Sequence, residues 1–159
     1  MGFIGLIGSY EHTIDSHGRL SIPVKFRDYI NAYSEGSVVM TTSHVDSCVV
    51  VYPLPAWKAV TERWEKSETA TDKPENDFAV RKDFWRLFSS GAEDTSLDKQ
   101  GRVLLPAHLR EYAGLDRDTV LVGFSTFFEI WNMQKWQKKK AGLLENKERL
   151  QEAMTSLRI

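Results

Sequence analysis

Along the first third of the chain, the spacing of hydrophobic and polar residues changes several times. Residues 19–22 alternate apolar and polar side chains, as a strand with one buried face does. Pro23 suits the first turn of a helix, and Phe26 lies on the apolar side of that helix. Two apolar runs follow and predict strands at 37–42 and 48–52.

The same pattern occurs a second time. Residues 15–30 read D-S-H-G-R-L-S-I-P-V-K-F-R-D-Y-I, and residues 98–113 read D-K-Q-G-R-V-L-L-P-A-H-L-R-E-Y-A. The two segments align without a gap and share Asp15/Asp98, Gly18/Gly101, Arg19/Arg102, Pro23/Pro106, Arg27/Arg110 and Tyr29/Tyr112. The second copy predicts strands at 102–105, 119–123 and 127–131. One supersecondary unit is therefore present twice.

Each copy contains a four-residue turn, at 15–18 and at 98–101. Its aspartate can accept a hydrogen bond from the backbone two residues further on, and its glycine can adopt a positive φ. The repeated unit is therefore strand, turn, strand, helix, strand, strand.

This order predicts an α+β fold in which two halves interleave their strands around a shared pseudo-two-fold core, flanked by helices. We place the first unit at 8–54, a helical connection at 55–90, the second unit at 91–134 and a C-terminal helix at 135–159. In the connection, large apolar residues recur at helical spacing: Trp57, Val60, Trp64, Phe84, Leu87 and Phe88.

Composition narrows the class of protein. The chain has 159 residues, of which 42% are hydrophobic and 27% charged, with a formal net charge of -1. This is typical of a globular protein, and the charge balance argues against a chain that coats nucleic acid by charge alone, which leaves a local basic patch or many copies of a small patch. No apolar stretch approaches the roughly 20 residues of a membrane-spanning helix, and no basic segment typical of a secretion signal precedes the first apolar residues. We expect a cytoplasmic protein, and the single Cys48 excludes an internal disulfide.

The repeated motif resembles a known family. D-x-x-G-R-Φ-x-Φ-P-x-x-Φ-R, where Φ is apolar, occurs at 15–27 and 98–110, and V-V-V-Y-P-L-P-A-W occurs at 49–57. These segments are similar to the MraZ family, transcription regulators with two tandem SpoVT-AbrB (AbrB-like, swapped-hairpin) halves. The resemblance implies a nucleoid-associated protein that binds double-stranded DNA at promoter repeats of the division and cell-wall gene cluster. It also implies a ring-shaped homo-oligomer with no cofactor, no metal and no small-molecule substrate.

The turns depart from the family pattern at one position. The family turn usually reads D-x-K-G-R, whereas His17 and Gln100 stand at the lysine position here. Two positive charges per subunit are therefore missing from the expected DNA face, and Lys99 offsets part of this loss.

Arginines are the first candidates for DNA contact. A rigid turn and a short strand would hold the guanidinium groups of Arg19 and Arg102 outward, toward phosphates or the edge of guanine. The alternative is that each arginine only closes its turn by pairing with Asp15 or Asp98, although a carboxylate that orients an arginine also preorganises it for binding. Further candidates are Arg27, Arg110, Lys25, Lys99 and His17.

The sequence also suggests two other classes of function. His12, Asp15 and His17 are close enough in sequence to suggest metal ligands, but the second copy does not repeat them. Cys48 has no neighbouring base that would make it a nucleophile, so an enzyme is not expected. An antitoxin-like interaction module is the remaining alternative, because AbrB-type folds also serve in that role.

The C-terminal segment has an apolar residue every seven positions, at Trp136, Leu143, Leu150 and Leu157. Lysines and Gly142 interrupt this pattern, which favours a helix that packs on a neighbour over a long coiled coil.

Overall fold

The computed structural model describes residues 4–68 and 75–159. The first repeat forms β1 (Ser9–Thr13), β2 (Arg19–Ser21), α1 (Val24–Ser34), β3 (Ser37–Thr42) and β4 (Val49–Pro53). Two helices follow, α2 (Leu54–Glu68) and α3 (Glu75–Ser90). The second repeat forms β5 (Glu93–Ser96), β6 (Arg102–Leu104), α4 (Ala107–Ala113), β7 (Asp118–Gly123) and β8 (Phe128–Asn132). The chain then continues through α5 (Met133–Glu145) and α6 (Lys147–Leu157).

Strands of both repeats alternate in one antiparallel sheet with the order β1-β7-β8-β4-β3-β5. β1 pairs with β7 of the second repeat, and β5 pairs with β3 of the first. β4 and β8 meet at the centre, where Val49 lies opposite Ile130. Each repeat thus places one strand in the other repeat's half of the sheet. This confirms the predicted α+β fold with tandem, pseudo-symmetric halves.

The second strands of the two repeats pair with each other outside the main sheet. β2 and β6 form a two-stranded antiparallel ribbon in which Leu20 lies opposite Val103. Both of these side chains are buried, so the alternation read from the sequence fixes which face of the ribbon points inward.

The core lies between the sheet, the ribbon and the helices α1 and α4. Phe26 of α1 packs against Phe128 at a ring-centroid distance of 4.9 Å and against the edge of Tyr10 at 5.3 Å. Leu109 is the equivalent residue on α4 and is fully buried. The predicted apolar faces of both short helices therefore form one shared core. A buried aromatic or leucine side chain in such a core contributes about 1.5–3 kcal/mol.

A proline directly precedes each short helix, so each helix begins one residue later than the sequence suggested. Pro23 and Pro106 are N-cap residues, and the Pro23 carbonyl accepts a hydrogen bond from the backbone N–H of Arg27. α4 ends at Gly114, and α1 ends at Glu35, both with positive φ.

The opposite face of the sheet is covered by α2, α3 and α5. α2 and α3 pack through aromatic rings, including Trp57 on Phe88 at 5.6 Å and Trp64 on Trp85 at 5.1 Å. α5 contacts the same face through Trp136, whose ring lies 5.6 Å from that of Trp131.

The C-terminal segment is divided into two helices at Asn146. The Asn146 side chain accepts a hydrogen bond from the backbone N–H of Arg149 and so caps a new helix start. The apolar residues beyond Trp136 are exposed, including Leu143, Leu150 and Leu157. Their packing on a neighbouring subunit stays a prediction. Within the described ranges, no helix combines the length and the apolar character needed to cross a membrane.

Candidate nucleic-acid interface

The two turns that precede β2 and β6, at 15–18 and 98–101, lie at opposite ends of the β2–β6 ribbon. An aspartate organises each of these turns. The Asp15 Oδ1 accepts hydrogen bonds from the backbone N–H groups of His17 and Arg19, at 2.8 and 2.9 Å. The Asp98 Oδ1 accepts the equivalent pair from Gln100 and Arg102, at 2.9 and 2.8 Å. The predicted turn chemistry is therefore present in both copies, and it sets the direction in which each following strand leaves its turn.

A glycine in each turn connects it to the other repeat. The Gly18 carbonyl accepts a hydrogen bond from the Leu105 N–H at 2.9 Å, and the Gly101 carbonyl accepts one from the Ile22 N–H at 3.0 Å. Both glycines have a positive φ, +78° and +75°. A residue with a side chain would be strained in this conformation, which explains the glycine at this position of the motif.

The outward face of the ribbon carries the leading candidates. Arg19 lies opposite Leu104 and Ser21 lies opposite Arg102 in the strand register. These four residues share the face that points away from the buried Leu20 and Val103, so the two arginines occupy diagonal positions on one surface. Leu104 is 55% exposed between them. Sequence analysis did not single out Leu104, although its position in the alternation with Arg102 was a sufficient signal.

The two arginines differ in how firmly they are held. The Arg102 Nε donates to the Asp98 Oδ2 at 2.9 Å, its Nη2 donates to the Gln100 Oε1 at 3.2 Å, and its Nη1 lies 3.7 Å from the Asp15 Oδ2. Arg19 is exposed, and its guanidinium has no hydrogen bond or ion pair with the residues that the structure describes. Arg102 is thus preorganised by carboxylates of both turns, whereas Arg19 is free to reach a ligand.

The backbone of each turn stabilises its ionised aspartate. The hydrogen bond from the Arg19 N–H is the main influence that lowers the pKa of Asp15, and the positive charge of Arg102 adds to it. The corresponding bond from the Arg102 N–H lowers the pKa of Asp98, together with the bond from the Arg102 side chain. Both carboxyls are therefore fixed acceptors at neutral pH.

The second arginine of each motif braces the turn of the other repeat. The Arg27 Nη1 donates to the Gln100 carbonyl at 3.3 Å, and the Arg27 side chain packs directly on Gly101. The Arg110 Nε donates to the Leu105 carbonyl at 3.0 Å, and its guanidinium lies over Gly18. These contacts hold both side chains against the turns, and a direct DNA contact by either of them stays a prediction.

The remaining candidates are exposed side chains around the same surface. His17 and Lys99 project from the two turns, and Lys25 lies on the exposed first turn of α1. The His17 Nδ1 lies 3.4 Å from the Ser16 Oγ. With Arg19, Arg102, Arg27 and Arg110, the region therefore combines seven exposed or half-exposed basic groups with two carboxylates that are already engaged by the turns.

The residues considered for catalysis are engaged in the fold. The His12 Nδ1 donates to the Ser21 carbonyl at 2.6 Å, and Asp15 is occupied by its turn. Cys48 is fully buried, and burial raises the pKa of its thiol, as do the charge and hydrogen bonding of Glu129. Within residues 4–68 and 75–159, no group of three or more histidine, cysteine or acidic side chains is arranged to hold a metal ion.

Comparison with known proteins places these features in a family. The model of the MraZ protein family, described as antitoxin-like, matches residues 6–80 and 88–158, one match for each repeat. A protein named transcriptional regulator MraZ from Desulfitobacterium hafniense is 45% identical over 130 residues, covering 82% of each chain. The protein of the same name from Caldanaerobacter subterraneus subsp. tengcongensis is 41% identical over 133 residues, covering 84% of this chain and 85% of its own. That from Desulforamulus reducens is 40% identical over 151 residues, covering 95% and 98%.

Proposed function

This chain belongs to the MraZ family, and we propose that it is a transcription regulator that binds double-stranded DNA through the outward face of the β2–β6 ribbon. Its targets in this proposal are repeats in the promoter region of the division and cell-wall gene cluster. It acts in the cytoplasm as a nucleoid-associated, ring-shaped homo-oligomer, without catalysis and without a cofactor.

The observation that carries the proposal is the pair of arginines on one exposed ribbon face. The major groove of DNA is about 12 Å wide and admits a two-stranded β-ribbon. Arg19 and Arg102 lie on the outer face of such a ribbon, and the turns that position them are fixed by buried glycines and paired aspartates. An arginine held in this way can donate two hydrogen bonds to the O6 and N7 atoms of guanine. The flanking Lys25 and Lys99 supply contacts to phosphates, which position a protein without reading sequence.

Assembly explains how a chain with a net charge of -1 can bind a polyanion. Each subunit presents only a few cations, so a single ribbon would bind weakly. Linking several ribbons in a ring converts later contacts into intramolecular events and raises the overall affinity by about 10²–10⁴, provided that the spacing of the DNA repeats matches. The exposed apolar residues of α5 and α6 are available for this assembly.

An antitoxin-like protein would bind DNA through the same face and would also bind a protein partner, the toxin. Single-copy antitoxins of this type usually carry a disordered acidic tail. Residues 133–159 instead form two helices with seven basic and three acidic side chains. The C-terminal segment therefore favours assembly of this protein over toxin capture.

The deciding experiment compares DNA binding by Arg19→Ala and Arg102→Ala. We expect each variant to lose about 1–3 kcal/mol of binding free energy for a promoter repeat, measured by fluorescence anisotropy at fixed salt, because each removes one bidentate contact. Arg86→Ala is the matched control, since it removes one positive charge from an exposed ion pair on α3, away from the ribbon.

The two variants should differ in stability. Arg19→Ala should unfold like the wild type, because the guanidinium of Arg19 has no partner within the described part of the chain. Arg102→Ala should be less stable, because it removes the bonds to Asp98 and Gln100. Wild-type affinity in both folded variants would show that the ribbon is not the DNA face.

A further inference from the structure

A carboxylate is buried on the face of the sheet that carries α2, α3 and α5. Glu129 lies in β8, opposite Val50 in the register, and only 8% of its surface is exposed. Its Oε1 accepts a hydrogen bond from the Trp131 Nε1 at 2.9 Å. Phe128 and Ile130, its neighbours along the strand, point into the opposite, main core. Strand alternation therefore places an acidic side chain among the residues that the helices cover.

This carboxylate has no cationic partner in the described part of the chain. No lysine, arginine or histidine nitrogen there lies within 4.0 Å of its oxygens. Lys139 is paired with Asp46, in the turn between β3 and β4, at 3.2 Å. A buried charge is costly unless it is paired, and the donors to Glu129, the Trp131 indole and the Cys48 thiol, are neutral groups that supply no opposite charge.

Glu129 lines an open cavity whose other walls are mainly aromatic. The cavity has a volume of about 260 Å³ and is bordered by Tyr52, Phe84, Phe88, Phe127 and His44. The rings form a continuous surface: Tyr52 lies 5.2 Å from Phe127 and 6.1 Å from Phe88, and Phe84 lies 5.2 Å from Phe88. Burial raises the pKa of the Tyr52 phenol, the charge of Arg63 opposes this, and the Glu129 charge raises the pKa further. The Tyr52 side chain is therefore a neutral part of the cavity wall, close enough to Glu129 to be affected by its charge.

Aromatic faces and a carboxylate attract the same kind of group. The face of an aromatic ring carries partial negative charge and binds ammonium and guanidinium groups within about 6 Å of the ring centroid. A carboxylate at the base of such a cleft adds an ionic hydrogen-bond acceptor. A neutral apolar group would satisfy the rings but leave the Glu129 charge unpaired.

We propose that this cavity is a binding site for an organic cation, a guanidinium or primary ammonium group carried on an alkyl chain. The charged group contacts Glu129, and the alkyl chain lies between Phe84, Phe88 and Phe127. The proposal does not depend on DNA binding, because the cavity is built from α3, β3, β4, β8 and the turns after β3 and before β8, none of which belongs to the ribbon.

The cation has two possible sources, which one set of experiments separates. It can be a free small molecule, or it can be an arginine or lysine side chain from a second copy of the chain. Binding of n-butylguanidinium and n-butylammonium is measured by calorimetry, with n-butanol as the neutral control. Self-association is measured by sedimentation velocity in the same buffer.

The variants remove either the charge or one wall of the cavity. Glu129→Gln keeps the shape and the acceptor for Trp131 but removes the charge, and Phe84→Leu removes a ring that is already 47% exposed. Leu87→Ala is the matched control, because Leu87 lies on the same helix but outside the cavity and is 61% exposed. Thermal melting of every variant establishes that it is folded.

For a free cation, we expect the wild type to bind both probes with a Kd of about 1 mM or tighter, which is reasonable for a ligand of this size. Glu129→Gln and Phe84→Leu should weaken binding at least about tenfold, and Leu87→Ala should not. If a second copy already fills the cavity, the free probes do not bind, and Glu129→Gln and Phe84→Leu instead reduce self-association while Leu87→Ala does not.

Two results would overturn the proposal. One is that the wild type binds neither probe and that Glu129→Gln and Phe84→Leu associate like the wild type. The other is that n-butanol binds as tightly as the cations or that Glu129→Gln has no effect on probe binding, since either shows an apolar cavity without a role for the carboxylate. If Glu129→Gln does not fold, the Phe84→Leu and n-butanol comparisons still decide between these outcomes.

Discussion

Substituting alanine for the two turn glycines should destabilise the protein by clearly different amounts, although the glycines occupy equivalent positions in the repeats. At Gly101 an added Cβ would lie 2.1 Å from the Arg27 Cδ and 2.4 Å from its Nη1. At Gly18 the nearest atom would be the Arg110 Cζ at 3.2 Å. The backbone φ is nearly the same at both sites, so the side-chain contact is the main difference between them.

The expected magnitudes follow from these distances. A residue with a side chain at positive φ costs about 1–2 kcal/mol, and the reduced freedom of the unfolded chain returns about 0.4–1 kcal/mol. Gly18→Ala should therefore cost about 1 kcal/mol. Gly101→Ala adds the displacement of Arg27 and the loss of its hydrogen bond to the Gln100 carbonyl, about 1–3 kcal/mol more.

Urea unfolding at one protein concentration provides the assay, because assembly makes apparent stability depend on concentration. The double variant Gly101→Ala/Arg27→Ala isolates the contact: shortening residue 27 should remove most of the additional cost of Gly101→Ala. Gly18→Ala/Arg110→Ala is the matched pair and should show little coupling, because the Gly18 contact is looser.

Equal destabilisation by Gly18→Ala and Gly101→Ala would refute this reasoning. So would an additive double variant, since additivity would mean that Arg27 does not pack on Gly101 in solution.

Three further predictions concern charge and assembly. His17→Lys should raise DNA affinity in anisotropy titrations at fixed salt, because it adds a positive charge to the first turn, whereas His17→Gln should not; equal affinity of His17→Lys and the wild type would contradict a position of this residue near phosphate. The lowered pKa values of Asp15 and Asp98 mean that their contribution to stability is present above the ordinary value of 3.8 and is lost as the pH falls through the folded-state values. Asp98→Asn should thus be less stable than the wild type in urea at neutral pH, with a difference that shrinks in acid, and a pH-independent difference would argue against it. Removing residues 143–159, which carry the exposed Leu143, Leu150 and Leu157, should reduce self-association in sedimentation experiments. Sedimentation of the intact chain as a monomer at micromolar concentration would show that this reasoning is wrong.

The repeat made most of the fold predictable. Residues 15–30 and 98–113 have the same turn, strand and helix signals, so each copy supports the interpretation of the other. Alternation in 19–22 identified the buried Leu20 and Ile22, and helical spacing identified Phe26. These are local signals, set by the period of burial on one face of an element.

The pairing between the repeats and the surroundings of single side chains could be predicted less well from the sequence. Nothing in the sequence distinguishes Arg19 from Arg102, yet the fold brings the Asp15 carboxylate near Arg102 and leaves Arg19 without a partner within the described residues. Arg27 and Arg110 were predicted at the DNA face, and only the tertiary structure shows that each packs on a turn 70 or more positions away in the chain. Glu129 lies in a strand pattern with apolar neighbours, and alternation alone would place it toward solvent; the helices of the connection cover that face.

The way the turns are held gives a physical reason for two repeats in one chain. The Gly18 and Gly101 carbonyls each accept a hydrogen bond from the opposite repeat, and Arg27 and Arg110 brace the opposite turns. An isolated repeat would lack these contacts, half of the ribbon and the partner strand for β1 or β5. It would have to recover them by binding a second copy, at a cost set by concentration, whereas a covalent connection gives the second repeat an effective concentration in the millimolar range. The ribbon is therefore assembled whenever the chain is folded, and in the proposed function assembly between chains has only to place several complete ribbons on one DNA.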